Sequence, residues 1–227
     1  MARTLNLAVH TVRRETFVEA AQRLMTAKGY EQMSIQDVLD EVEASRGAFY
    51  HYFDSKQALL EAVIDRMVDQ GMAQVAPVVS DPSLSAPGKL QQVFSTIGRW
   101  KTARKPLVLA VIEVWVSDHN AIVREKFRRT MTSRLAHTLE PIIQQGIDEG
   151  SFQATSASGA ASVMAMLLLG FQDLATRLFL DRQAGTIALE DVERTFGSFT
   201  ESFERVLGAR AGSIQVIDRS LLREWYG

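Results

Sequence analysis

Residues 34–53 read SIQDVLDEVEASRGAFYHYF, and the organisation of the chain follows from this stretch. Ser34 stands three residues before Asp37, the spacing of a capping box at a helix start. Ile35, Val38, Leu39 and Val42 then recur at helical intervals and supply one apolar face. A tight break follows at Glu43–Ala44, and Ser45 is placed to cap a second short helix over residues 46–52. Phe49 and Phe53, four apart, can plug into neighbouring helices, which leaves Arg46, Gly47, Ala48, Tyr50, His51 and Tyr52 for other faces. Three consecutive polar ring-bearing residues are costly to bury without partners. Phosphate oxygens accept hydrogen bonds from hydroxyl and imidazole groups. Two short helices across a tight break form a stiff unit in which one helix can cross a phosphate backbone while the next enters a major groove.

The flanking sequence extends the helical pattern in both directions. Phe17, Ala20, Ala21, Leu24 and Met25 give an apolar stripe to a helix predicted over residues 13–28, with Gly29 as its stop. On the other side, Asp54 or Ser55 caps a fourth helix running to about Val75, striped by Leu59, Leu60, Val63, Ile64, Met67 and Val68. Pro77, Pro82 and Pro87, among Ser80, Ser83, Ser85 and Gly88, predict a loop. Further helices are expected over 90–103, 106–116, 121–149, 157–180 and 189–207, with a short one over 214–225. Pro141 should kink or restart the third of these, and Gly150 should end it. No run of alternating β-branched residues appears. The expected fold is all-α: a three-helix helix-turn-helix unit at 1–54, a larger helical unit at 55–207 whose first helix, 55–75, is a connector, and a tail at 208–227.

Composition excludes several function classes. The 227 residues include no cysteine, which rules out disulfides, zinc–thiolate sites and thiol nucleophiles. His10, His119 and His137 lack metal-ligand spacing, and no Gly-rich phosphate loop or Gly-x-Ser-x-Gly elbow appears, so neither catalysis nor a metal or cofactor is expected. The first twelve residues make a poor signal peptide. The most apolar stretch, residues 160–171, falls short of the roughly 20 needed to span a bilayer, so a cytoplasmic protein without membrane partners is expected. The net charge of −2 is awkward for a nucleic-acid binder. It is unevenly placed, however: Arg3, Arg13, Arg14, Arg23 and Lys28 precede an acidic cluster of Asp37, Asp40, Glu41 and Glu43.

The pairs Ala20–Ala21, Gly29–Tyr30, Ser34–Ile35 and Asp37–Val38, the runs Ser45–Arg46–Gly47 and Phe49–Tyr50–His51–Tyr52–Phe53, and then Lys56 and Leu59–Leu60, stand in a specific order and spacing. Over residues 13–63 this stretch resembles the DNA-binding domain of the TetR family of bacterial regulators. Glu43 stands where that family usually has Gly, Met33 where it often has Thr, and Leu39 where it usually has Ala. Beyond Val63 only the helical layout agrees. The resemblance implies a dimer that binds a palindromic double-stranded DNA operator, with two recognition helices roughly 34 Å apart. It implies repression relieved by a small-molecule effector. It assigns DNA contact to Ser34, Ser45, Arg46, Gly47, Ala48, Tyr50, His51, Tyr52 and Lys56.

Two expectations concern the larger unit. The two apolar stripes of residues 157–180 and the Phe stripe of 189–207 point to pairing with a second subunit, through Ala161, Ala165, Leu168, Phe196, Phe199 and Phe203. Large apolar residues on the intervening helices are candidates for an effector pocket: Phe94, Trp100, Ile112, Trp115 and Phe127, then Met131, Met164 and Phe171. Glu113, Arg134, His137 and Gln172 are its candidate polar groups. Glu113, between Ile112 and Val114 where a charge is costly to bury, either points to solvent or pairs with an Arg, or favours an apolar or aromatic effector with a cationic or donor group. A DNA-binding regulator without a ligand, or a helical carrier or enzyme, are the alternatives.

Overall fold

The computed structural model describes the backbone of residues 2–216 and 219–227, and the side chains of these except 2–9 and 118. The described residues contain helices and no strand. They gather into two compact units, one of residues 1–72 with 104–123, the other of 73–103 with 124–227.

In the first unit, local capping sets the boundaries. Helix α1 (Ala2–Lys28) ends at Gly29, whose N–H donates to the Met25 carbonyl. Helix α2 (Ile35–Glu41) opens on the capping box: the Asp37 N–H donates to Ser34 Oγ at 3.1 Å, and the Ser34 N–H to Asp37 Oδ2 at 2.7 Å. Helix α3 (Arg46–Tyr50) is only five residues long and is capped by Ser45, whose Oγ accepts from the Ala48 N–H at 3.2 Å. Helix α4 (Lys56–Ser80) is capped by Ser55 through the Ala58 N–H at 3.0 Å. The core is Phe17, Ala20, Ala21, Met25, Val38, Leu39, Phe49, Phe53 and Leu59, all buried. Arg66 of α4 bridges Glu15 and Glu19 of α1, at 2.5 and 2.6 Å. Helix α5 (Ala86–Thr102) belongs to the second unit, whereas helix α6 (Lys105–Trp115) packs on α1 in the first, turning Ala110 and Val114 inward.

The turn between α2 and α3 has a specific form. The N–H of Ala44 donates to the carbonyl of Leu39 at 3.0 Å, closing a Schellman motif. That motif puts Glu43 at φ 50°, the left-handed region. It is the one non-glycine residue with positive φ among the described residues.

In the second unit α5 joins helices α7 (Ala121–Asp148), α8 (Ala157–Gln183), α9 (Leu189–Leu207) and α10 (Arg219–Tyr226). Leu90, Leu139, Ile142, Ile143, Phe152, Ala161, Met164, Phe203 and Leu207 form its core. Phe94 stacks on Phe203 at 6.1 Å, and Phe171 sits 4.7 Å from both Phe196 and Phe199. The C-terminal helix is tied down at its end. Trp225 Nε1 donates to Thr102 Oγ1 at 2.8 Å, Tyr226 Oη to the Ala175 carbonyl, and Arg182 to the carbonyls of Tyr226 and Ile187. Burial pushes the Tyr226 phenol above its ordinary range.

Several expectations are corrected. Helix α1 starts eleven residues before the predicted Arg13, over a segment with only a broken apolar pattern; the Arg3 side chain lies outside the described residues. Helix α4 runs through Pro77 to Ser80, and α7 runs through Pro141, since a helix loses only local hydrogen bonding at a proline and neighbouring turns can hold it. The short tail helix starts at Arg219 rather than Ile214; residues 217–218 lie outside the described residues. Helix α8 is 27 residues and long and apolar enough to cross a membrane, which the 160–171 stretch alone understates. In this structure its Ala161, Met164 and Ala165 are buried within the unit, while most of its apolar stretch stays exposed or half-buried.

Two stability predictions follow from this packing. A Cβ on Gly146 would land inside the ring of buried Phe152, whose N–H donates to the Gly146 carbonyl at 2.9 Å. Gly146→Ala should therefore destabilise by about 1–3 kcal/mol, as overpacking does, measured by urea denaturation. Glu43→Gly removes a left-handed side chain and should raise stability by up to about 1 kcal/mol, with unchanged secondary structure by circular dichroism.

Candidate nucleic-acid interface

Helix α3 and its borders are positioned from beneath. Phe49 is fully buried, its ring edge-on to Phe17 at 5.8 Å and 5.6 Å from Phe53. Phe17 also lies 5.8 Å from Tyr52. With Phe49 locked inward, the opposite side of this short helix faces solvent. Ser45, Arg46 and Gly47 are exposed, Ala48 is half-buried, Tyr50 keeps 50% of its surface, and His51 is exposed as the C-cap. Arg46 makes no hydrogen bond or ion pair among the described residues. A Cβ on Gly47 would meet only Ser45 Oγ, at 3.9 Å, so internal packing does not require a glycine there.

The remaining candidates are engaged in different ways. Ser34 spends its hydroxyl in the capping box, where it also donates to Asp37 at 2.8 Å. Lys56, at the start of α4, donates to the Glu31 carbonyl at 3.3 Å and lies 4.2 Å over the Tyr30 ring. Partial burial holds its amine below the ordinary lysine range. Burial, with Glu31 beside it, pushes the Tyr30 phenol up to about 12. Tyr52 is half-buried, between Phe17 and the ring of His10, which is 4.6 Å away. His10 had no place in the sequence pattern. It reaches the group because α1 extends N-terminally past Arg13, and it lies 5.4 Å from His51 as well.

Two of the four members of the acidic cluster, Asp37 and Glu41, are ion-paired inside the unit. Lys28 pairs with Asp37 at 2.7 Å, and Arg23 with Glu41 at 2.6 Å. Gln36 donates to Asp40 at 2.7 Å. The Lys28 ammonium, with the Ser34 N–H and hydroxyl, holds the Asp37 carboxyl well below the usual carboxylate range. Both carboxylates of these ion pairs lie on α2, so their pairing leaves the Arg46 charge facing outward with less local opposition.

The pocket candidates do not gather in one unit. Ile112, Glu113 and Trp115 lie in the first, and Phe94, Trp100, Phe127, Met131, Arg134, Met164 and Phe171 in the second. Glu113 is exposed, beside Gly29 at the end of α1, because α6 turns Ala110 and Val114 inward instead. Its expected role as a buried polar anchor is therefore corrected. Met164 is fully buried and Phe171 is packed between Phe196 and Phe199, which gives both a structural task. The six residues expected at a subunit interface also face inward. Ala161, Ala165, Phe196 and Phe203 are buried, and Leu168 and Phe199 pack half-buried against the core. The side of α8 left outward carries Ser162, Val163, Met166 and Gly170. Its apolar members, Val163 and Met166, keep 40% and 58% of their surface. No group of three or more metal-ligating side chains occurs among the described residues.

Residues 17–63 match the family model of bacterial regulatory proteins, tetR family. An uncharacterised helix-turn-helix transcriptional regulator from the lacX 3' region of Lactococcus lactis subsp. lactis is 46% identical over 55 residues, 24% of this chain and 28% of that protein. The helix-turn-helix transcriptional repressor DhaR of Mycobacterium sp. (strain GP1) is 23% identical over 130 residues, 49% of this chain and 66% of DhaR. The chain thus spans about a quarter of the length of the first relative and just under two thirds of the second. A TetR transcription regulator from Haloarcula marismortui shares the fold, with a TM-score of 0.62 at 20% identity over 87% of this chain and 97% of that one. Residues 17–63 thus form a helix-turn-helix domain of the tetR family type, carried on an all-helical chain whose fold is shared with a TetR transcription regulator.

Proposed function

We propose that the chain is a ligand-responsive repressor that binds a palindromic operator as a homodimer, inserting the helix at Arg46–Tyr50 into the major groove. One observation carries this reading: buried Phe49 fixes a five-residue helix whose outer side presents Arg46, Gly47 and Tyr50 to solvent. Arg46 reads a base edge or a phosphate, Tyr50 and His51 donate to phosphates, and Gly47 leaves the helix bare where the duplex comes closest. Lys56 and the capped starts at Ser34 and Ser45 line the flanking backbone. The name of the repressor DhaR supports repression as the direction of control.

Residues 1–54 supply DNA binding, and 55–207 supply sensing and dimerisation. The second subunit docks on the outward side of α8, through Val163, Met166 and Gly170, because the inner stripes are already filled. An apolar or aromatic effector acts by binding one spacing of the two reading heads better than the other. The close packing of Phe171 and Met164 favours a second reading, a regulator of fixed conformation with no effector.

The DNA reading is tested by fluorescence anisotropy on a duplex selected from a random library and on a scrambled control. Arg46→Ala should cost about 1–3 kcal/mol on the selected duplex and relax preference at one position. Tyr50→Phe should weaken both duplexes alike. Gly47→Ala should leave the melting temperature unchanged or higher, as for Gly→Ala in any helix, yet weaken DNA binding. Undiminished affinity in all three variants would remove α3 from the interface. For assembly, Met166→Asp should leave a folded monomer by sedimentation velocity, whereas Phe203→Asp should unfold the protein. A Met166→Asp protein that stays dimeric moves the interface elsewhere.

A further inference from the structure

His10 lies on α1 and His51 caps the end of α3, yet their rings meet edge-on at 5.4 Å. Both residues are exposed. Neither imidazole makes a hydrogen bond or ion pair among the described residues. Tyr52 fixes the pair: its ring lies 4.6 Å from His10 and 5.0 Å from His51, and it is held from below by buried Phe17. The ring nitrogens are thus uncommitted to any protein partner among the described residues, in an aromatic cluster at the border of the DNA-facing helix.

The surroundings decide what such a pair can bind. From α1 the neighbouring charges are Arg13, stacked 5.9 Å over Phe17, and Arg14, 5.1 Å over the Phe53 ring. Arg14 is opposed by Glu15 at 3.6 Å, and Glu15 is itself committed to Arg66. From α3 and the turn after it come Tyr50, Tyr52 and exposed Asp54. On α4, Lys56 is committed to the Glu31 carbonyl. No carboxylate is hydrogen-bonded to either imidazole. Two imidazolium ions this close, beside two arginines, repel one another, and an anion between them reverses the balance.

We infer that His10 and His51 form a paired-imidazole clamp for one backbone phosphate of the operator, closed by proton uptake when DNA binds. Each ring donates one N–H to a non-bridging oxygen, and Arg13 lies one helical turn from His10 to meet the next phosphate. The inference rests on the reading of α3 as the DNA-facing helix and adds to it α1, a contact residue outside the motif, and a dependence on pH. The sign follows from linkage: the complex prefers the protonated rings, so affinity rises as pH falls and is lost as pH rises.

The full-length protein is titrated by anisotropy on the selected duplex at pH 6 and pH 8 over a series of salt concentrations. Proton uptake is read by calorimetry in buffers of different ionisation enthalpy. The wild type should bind roughly tenfold or more tighter at pH 6 and take up protons on binding. His10→Gln and His51→Gln should each lose most of that pH response. The double variant should lose all of it, with the salt slope at pH 6 reduced by about one phosphate contact. Melting curves of the variants should match the wild type, since both side chains are exposed. If the wild type binds no duplex, both this clamp and the DNA reading fail. If it binds with pH-indifferent affinity, or if His10→Gln keeps the full pH response and proton uptake, the clamp alone is overturned.

Discussion

The ring of Phe49 against Phe17 and Phe53 is the contact on which the placement of α3 depends. A helix of five residues cannot hold itself in water, because nucleation fixes several dihedrals for a single hydrogen bond. Ser45 supplies one cap, but a cap selects where a helix starts rather than where it points. Orientation comes from burial of Phe49, the one residue of α3 that is wholly removed from solvent. Every exposed group on the helix inherits its direction from that anchor. The same core rings extend through Tyr52 to His10 and so tie the first helix to the third.

That anchor also explains why a poor residue is tolerated in the turn. Glu43 is held at φ 50° by the Ala44 to Leu39 hydrogen bond on one side and the Ser45 cap on the other. A left-handed non-glycine residue costs about 1–2 kcal/mol. Burying Phe49 and Leu39 returns more than this, at about 1.5–3 kcal/mol for each large side chain. Burial of the two helices therefore sets the geometry of the turn, and the turn residue conforms.

The helix-turn-helix was legible because its determinants are local. Ser34, Asp37 and Ser45 act within four residues of where they stand, so spacing alone reveals them. The extension of α1 was not legible, since residues 2–12 carry no clear apolar stripe and only the fold recruits His10. The faces of α8 misled for a different reason. Ala160, Ala161, Met164 and Ala165 form the most apolar surface of that helix, and the most apolar surface goes to the core of its own chain before any partner arrives. What remains for a partner is the weaker stripe of Ser162, Val163, Met166 and Gly170, which periodicity ranks last. Glu113 looked costly because it stands between Ile112 and Val114, but on a helix those neighbours point about 100° away on either side. Its own direction was settled by which residues α1 needed from α6.

The charge balance resolves along similar lines. A chain with a net charge of −2 can approach a polyanion if its acidic groups are spent internally near the contact surface. On α2 this is the arrangement: Asp37 and Glu41 are paired with Lys28 and Arg23 of α1, while Arg46 at the start of α3 faces solvent with no partner among the described residues. Exposed ion pairs of this kind contribute little to folding, typically about 0–1 kcal/mol. Their larger effect is on the field outside the domain, where a neutralised pair contributes only a dipole and an unpaired arginine contributes a full charge. The pairing between α1 and α2 thus commits two of the four acidic groups near Arg46, while Asp40 and Glu43 make no ion pair among the described residues.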